Sequence, residues 1–222
     1  KKVFDRFRKS GRPVVLIDRR MENGDCDCVL VDNEGAAQNA VKRLMKKGHK
    51  KIGMITGPDN VYTARERQRG YELAIQESSK ARSAQQSDLK GKTDRTDTKL
   101  LADGNYTIAG GANAMRKLYE DNPDMTAVFI SNYEMTVGAM MEINDLGIKV
   151  PEQLSVIGFD NMDFARAVVP TEEIGQAAAN LLLSHLEDKD ETPDKTSDKI
   201  ETTETIWLKT GFVEGESVAD IS

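Results

Sequence analysis

Cysteine is scarce in this chain of 222 residues, with only Cys26 and Cys28, and aromatic residues make up 5%. The two thiols are separated by one residue and have no second pair or histidine cluster nearby. That spacing excludes a disulfide framework and a structural zinc site. Both cysteines read instead as small apolar residues of a strand, in keeping with a reducing cytoplasm. Apolar runs fall well short of the roughly 20 residues that a membrane-spanning helix needs. No charged segment followed by an apolar core and a cleavage site opens at Lys1, so no secretory leader is expected in these residues. Glycine-rich phosphate loops are missing. His49 and His185 lie far apart, and no serine or cysteine sits in a nucleophile-elbow pattern. Catalytic residues, metal ligands and cofactors are therefore not expected. The net charge is −6, the pI is near 5.2, and the basic residues are dispersed among acids. Such a surface does not by itself hold a nucleic-acid backbone tightly.

What is present is a regular alternation of strand-like and helix-like segments, with 38% hydrophobic residues. This predicts α/β layers around one or two cores. Residues 126–160 carry the most information. AVFIS is uncharged and rich in β-branched and aromatic residues, so it reads as a strand covered on both faces, ending at Asn132. Met135, Met140, Met141, Ile143 and Leu146 then recur at helical spacing, and Gly147 follows where a left-handed C-cap belongs. LSVIGF is a second continuous apolar run, ending at Asp160. In an open α/β sheet ligands bind beyond the carboxyl ends of the strands. Asn132 and Asp160 are therefore site candidates, although helix capping by the asparagine and a turn at the aspartate explain either residue alone equally well.

A second constellation lies upstream, where KIGMITGP is a strand breaking into a Gly-Pro turn before a helix that opens at Thr63. Arg65, Arg67 and Arg69 crowd its first turns. Cations at a helix N-terminus oppose the macrodipole and call for solvent, acids or a hydrogen-bonding ligand. For Arg65 and Arg69 a solvated basic face is the simpler reading.

Residues 13–18 and 28–32 read as two further strands. Asn33 can then cap a helix whose Ala37, Val41, Leu44 and Met45 share one face, and Gly48 closes it. A crossover helix between residues 28–32 and the KIGMIT strand implies parallel pairing of the two. The first residues read as an amphipathic helix with Val3, Phe4 and Phe7 inward. Residues 105–119 and 171–186 read as helices. Residues 78–99 and 187–204 break the globular pattern, with few aliphatic anchors.

Taken together and in order, NEGAAQNAVKRLMKKGHKKIGMITGP, TARERQRGY, TAVFISNYEMTVGAM, LGIKVPEQLSVIGFDN and PTEEIGQAAANLLL resemble the lactose/galactose-repressor (LacI/GalR) type of bacterial transcription regulator. FVEGESV resembles the closing strand of that family. The resemblance covers most of residues 13–186. It implies a periplasmic-binding-protein-like α/β fold with two Rossmann-like lobes, parallel sheets flanked by helices. Residues 1–50 plus 171–200 would form an incomplete N-terminal lobe and residues 51–165 plus 205–222 the C-terminal lobe, with the DNA-binding headpiece outside this chain.

The resemblance further assigns Arg67 to an arginine that reaches ligand hydroxyls, Tyr106 to an aromatic wall, and Asn132 and Asp160 to polar groups at strand ends. Thr63 is a weaker hydroxyl contact. Where the family usually places an acid after the asparagine, this chain has Tyr133. The implied function is an effector-binding and dimerisation core that takes a sugar or sugar derivative between its lobes. Its partners would be that small-molecule effector, operator DNA through the headpiece, and a second copy in a homodimer, with no membrane. A sugar-binding protein of a transport system is the alternative. Arg67 and Asp160 are expected to act on ligand rather than on the core, so that their loss leaves the fold intact.

Overall fold

The computed structural model describes residues 6–7, 10, 12–21, 26–85, 99–160, 166–187 and 203–222, which divide into two units. The smaller unit comprises Lys1–Asp32 with Pro170–Lys209, and the larger comprises Asn33–Val169 with Thr210–Ser222. Val3 and Phe4 of the expected opening helix lie outside the described residues, and Phe7 is exposed rather than inward.

In the smaller unit, strand β2 (Asp27–Val31) is fully buried and runs parallel to β1 (Val15–Ile17) on one side and to β8 (Thr205–Leu208) on the other. Helix α5 (Thr171–Glu187) buries Ile174, Ala178 and Leu181, a stripe at helical spacing. Asp27 joins these pieces: one carboxylate oxygen meets His185 Nε2 at 2.5 Å and the other accepts the Glu204 backbone N–H at 2.6 Å. Cys28 is buried on β2 and Cys26 precedes it, and both thiols are free.

The larger unit is a sheet of order β4-β3-β5-β6-β7-β9, built from β3 (Ile52–Thr56), β4 (Leu100–Asp103), β5 (Ala127–Ile130), β6 (Ser155–Phe159), β7 (Arg166–Val168) and β9 (Gly211–Val213). All neighbours are parallel except β9, which pairs antiparallel with β7. Strand alternation divides the apolar residues between two faces. Ile52, Met54, Ala127, Phe129, Ile157 and Phe159 face one core with helices α1 (Asn33–Lys46) and α2 (Tyr62–Gln85). Ile55, Val128, Ile130 and Val156 face a second core with α3 (Ile108–Asp121) and α4 (Tyr133–Asp145). Within this unit chain order reverses between β3 and β5, the topological switch point of a doubly wound sheet.

Several boundaries differ from expectation. The predicted pairing of residues 28–32 with KIGMIT does not form, because β2 and β3 belong to different sheets. The chain changes unit between Asp32 and Asn33. The alanine-rich face of α1 (Ala36, Ala37, Ala40) then packs with Tyr71, Ala74 and Ile75 in the larger core. Residues 33–50 therefore belong to the larger unit and β8 to the smaller, where it completes a ladder with β2. Three strands go unread from sequence, β4, β7 and β8. The helix expected over 105–119 starts at Ile108, since Asn105 and Tyr106 take positive φ and Thr107 caps it by accepting from the Gly110 N–H. Helix α2 runs on to Gln85, inside a stretch expected to be irregular; residues 86–98 and 188–202 of those stretches lie outside the described residues. Gly48 and Gly147 do end their helices, with φ of 92° and 68°.

His49 secures the edge where α1 ends. Its Nε2–H donates to the Ala219 carbonyl at 3.2 Å and its Nδ1 lies 2.9 Å from Thr126 Oγ1, an arrangement suited to neutral imidazole. Burial pushes its pKa below the usual 6.5, outweighing the Ala219 carbonyl and Asp220, which act in the opposite sense. Between the lowered value and 6.5 the unfolded chain binds more protons than the folded one, so stability falls as pH drops below 6.5. The melting temperature is expected to fall between about pH 7.5 and about pH 5.5, and His49→Gln should flatten that interval. An unchanged slope in the variant would assign the pH dependence elsewhere.

Candidate functional site

The residues singled out from sequence all sit where β3, β4, β5 and β6 end. Thr63 and Arg67 lie on successive turns of α2, the helix that follows β3 and the Gly57-Pro58 turn. Arg67 is only 4% exposed. Its Nε donates to Asn33 Oδ1 at 2.8 Å and its Nη1 to the Ser131 carbonyl at 2.6 Å. Its guanidinium carbon stands 3.7 Å from the centroid of the Phe159 ring, which is itself set edge-on to Phe129. No carboxylate pairs with Arg67 among the described residues. Among the described residues the buried guanidinium is thus held by two neutral acceptors and a ring face, with two of its five N–H donors taken.

Asn132 takes the capping role that its sequence allows. Its Oδ1 accepts the Met135 N–H at 3.0 Å and caps α4, which leaves the amide donors without a protein partner among the described residues. Asp160 leaves β6 with φ of 79°, and its Oδ2 accepts the Tyr133 N–H at 3.3 Å. Both residues therefore meet the same helix N-terminus, each with hydrogen-bonding capacity in reserve.

Tyr106 stands over Gly57, where an added Cβ would lie 2.2 Å from the ring, and its hydroxyl is 3.3 Å from Thr63 Oγ1. Thr63 and Tyr106 form one contact group. Arg67, Asn33, Ser131 and Phe159 form a second, one helical turn away. Asn132 and Asp160 follow Ser131 and Phe159 directly in the chain, at the ends of the paired strands β5 and β6. The edge thus offers donors from Arg67 and Asn132, an acceptor at Asp160 and a ring at Tyr106.

Arg65 and Arg69 play no part in this arrangement. Arg65 is exposed and donates to the Asp59 carbonyl, and Arg69 pairs with Glu34 at 2.9 Å. A groove of about 530 Å³ between α1 and β9, lined by Lys42, Arg43, Lys46 and Phe212, contains none of the site residues. Lys42 and Arg43 are occupied there with Glu77 and Glu214.

Asn33, Ser131, Phe159 and Gly57 escape the sequence reading as members of the site. Asn33 was legible only as a helix start and Phe159 only as core. The Gly-Pro turn was the one signal for Gly57.

Residues 41–218 match the model of the periplasmic binding protein-like domain family. This chain belongs to that family. Its relatives within the family are LacI-type regulators. It is 31% identical over 202 residues to the HTH-type transcriptional regulator AscG of Escherichia coli K12, an alignment covering 87% of this chain and 56% of that protein. It is 32% identical over 183 residues to the HTH-type transcriptional repressor CytR of the same organism, covering 79% of this chain and 50% of that one. Among solved structures, the transcriptional regulator CelR in complex with cellobiose matches with a TM-score of 0.76 at 26% identity, over 95% of this chain and 60% of that one. The chain spans about half the length of the curated relatives it matches. The family match takes in Thr63, Arg67, Tyr106, Asn132 and Asp160, while Asn33 precedes it.

Proposed function

We propose that this chain is the effector-binding and dimerisation core of a LacI-type transcription regulator, and that Thr63, Arg67, Tyr106, Asn132 and Asp160 contact a small polyhydroxylated effector, a sugar or sugar derivative. The observation that carries this reading is Arg67: a buried cation with no carboxylate partner among the described residues and with donors to spare there, beside the switch point of a parallel sheet. Sugar hydroxyls both donate and accept. A guanidinium, an amide and a carboxylate satisfy them, and an aromatic face covers the C–H surface. The cellobiose bound by CelR is of that chemistry.

The effector shifts a pre-existing conformational equilibrium through its differential contacts, and that shift alters operator binding by a DNA-binding segment outside these residues. The named relatives are regulators, which favours this reading over a transport protein and over an enzyme. No described helix is long and apolar enough to cross a membrane, and the free thiols suit a cytoplasmic regulator. A homodimer agrees with Ile108 and Met141, apolar yet 46% and 58% exposed on the neighbouring helices α3 and α4.

A thermal-shift screen across monosaccharides, β-glycosides, sugar phosphates and nucleosides tests the reading. At a ligand concentration about 100 times Kd the expected stabilisation is about 2.7 kcal/mol. Silence across all classes, or turnover of any of them, would reject it. Sedimentation of Met141→Glu beside the parent chain checks the dimer, and the variant is expected to run as a monomer.

A further inference from the structure

The first turn of α4 holds a residue that the helix does not need. The dipole there favours acids and short polar caps, which Glu134 and Asn132 supply. Tyr133, the first residue of the helix, is an aromatic side chain that remains 50% exposed and belongs to neither core of the larger unit. Among the described residues its backbone is what is used, the N–H donating to Asp160 Oδ2.

Helical Cα–Cβ bonds tilt toward the helix N-terminus. A first-turn side chain therefore leans toward the start of α4, the end that Asn132 caps and where Asp160 accepts the Tyr133 N–H. The other aromatic of the site is committed, since Tyr106 lies against Gly57 with its hydroxyl on Thr63. One ring of a ligand can use Tyr106, and a second ring would find Tyr133.

We propose that Tyr133 is a specificity-determining residue that selects ligands with a second ring, glycosides of two sugar rings, over free monosaccharides. This rests on the effector reading above and deepens it. The exposed phenol stacks on the C–H face of the outer sugar ring, and its hydroxyl bonds that ring's hydroxyls. Arg67, Asn132 and Asp160 hold the inner ring.

Calorimetric titration of the parent chain, Tyr133→Ala, Tyr133→Phe and Asp160→Asn with glucose, cellobiose, galactose and lactose separates the roles. The expected result is a preference of the parent for a two-ring sugar over its one-ring counterpart. Tyr133→Ala should cut that preference roughly tenfold while leaving monosaccharide affinity and melting temperature unchanged, because the ring is half exposed. Tyr133→Phe should restore most of it. Asp160→Asn should weaken one-ring and two-ring sugars alike. If Tyr133→Ala weakens both classes equally, or neither, Tyr133 is no selector although the effector reading stands. If the parent binds none of the four sugars, the assignment of Tyr133 to two-ring sugars is overturned, while the broader screen judges the effector reading separately.

Discussion

Arg67→Ala is expected to abolish ligand-induced stabilisation and to lower the melting temperature of the unliganded chain, whereas Asp160→Asn should weaken the ligand response alone. The sequence suggests that both residues act on ligand and not on the core, and for Arg67 the structure corrects this. Its removal takes a donor away from Asn33 Oδ1 and from the Ser131 carbonyl and uncovers the Phe159 ring. Buried acceptors left unsatisfied cost about 1–3 kcal/mol each, and a desolvated cation–π contact adds up to about 2 kcal/mol. A total loss of about 3 kcal/mol corresponds to roughly 6–12 °C for a chain of this size. Asp160 is different. Asparagine tolerates the positive φ at this position and can still accept the Tyr133 N–H, so only the charge is lost. That variant should stay within about 1 kcal/mol of the parent. Differential scanning fluorimetry with and without a binding sugar reads both quantities. An Arg67→Ala chain as stable as the parent would mean that the guanidinium is not part of the core.

The pattern of agreement between sequence and structure has a physical basis. Continuous apolar runs mark strands buried on both faces, so β3, β5 and β6 and the polar residues ending them were legible. Strand β4 was obscured because LLAD is short, sits at the sheet edge and follows a polar stretch. Strand β8 is also an edge strand, and it exposes its tryptophan by 51%. Local pattern cannot say which sheet a strand joins. Helix α1 follows β2 and precedes β3 as a crossover would, and only the packing of its alanine face shows that the chain has already passed into the other unit. In the candidate site, the place of Asn132 and Asp160 at strand ends was legible from the apolar runs before them. That of Asn33 was not, because its contact with Arg67 spans 34 residues and carries no local signature.

The second large effect is expected at a residue that touches no ligand, Gly138. A Cβ there would lie 1.8 Å from the Ile108 carbonyl oxygen and 2.9 Å from the Ala112 nitrogen. Across the same crossing, a Cβ on Gly111 would meet the Met135 carbonyl oxygen at 2.3 Å. Helices α3 and α4 thus touch backbone to backbone, and no side-chain rotation relieves the clash. Gly138→Ala must drive the helices apart, through a core that includes Met115, Met135 and Ala139. Overpacking of this kind costs about 1–3 kcal/mol and occasionally more, which places the expected fall at the upper end, roughly 6–12 °C. The N-terminus of α4 carries Asn132 and receives Asp160, and α3 begins just after Tyr106, so ligand affinity should fall along with stability. Gly175→Ala is the matched control. It lies within α5 with nothing inside 4 Å of its added carbon, and the better helix former should raise stability by about 0.5–1 kcal/mol. Should Gly138→Ala melt no lower than the parent, the two helices do not make the backbone contact on which the alignment of Tyr106 with Asn132 depends.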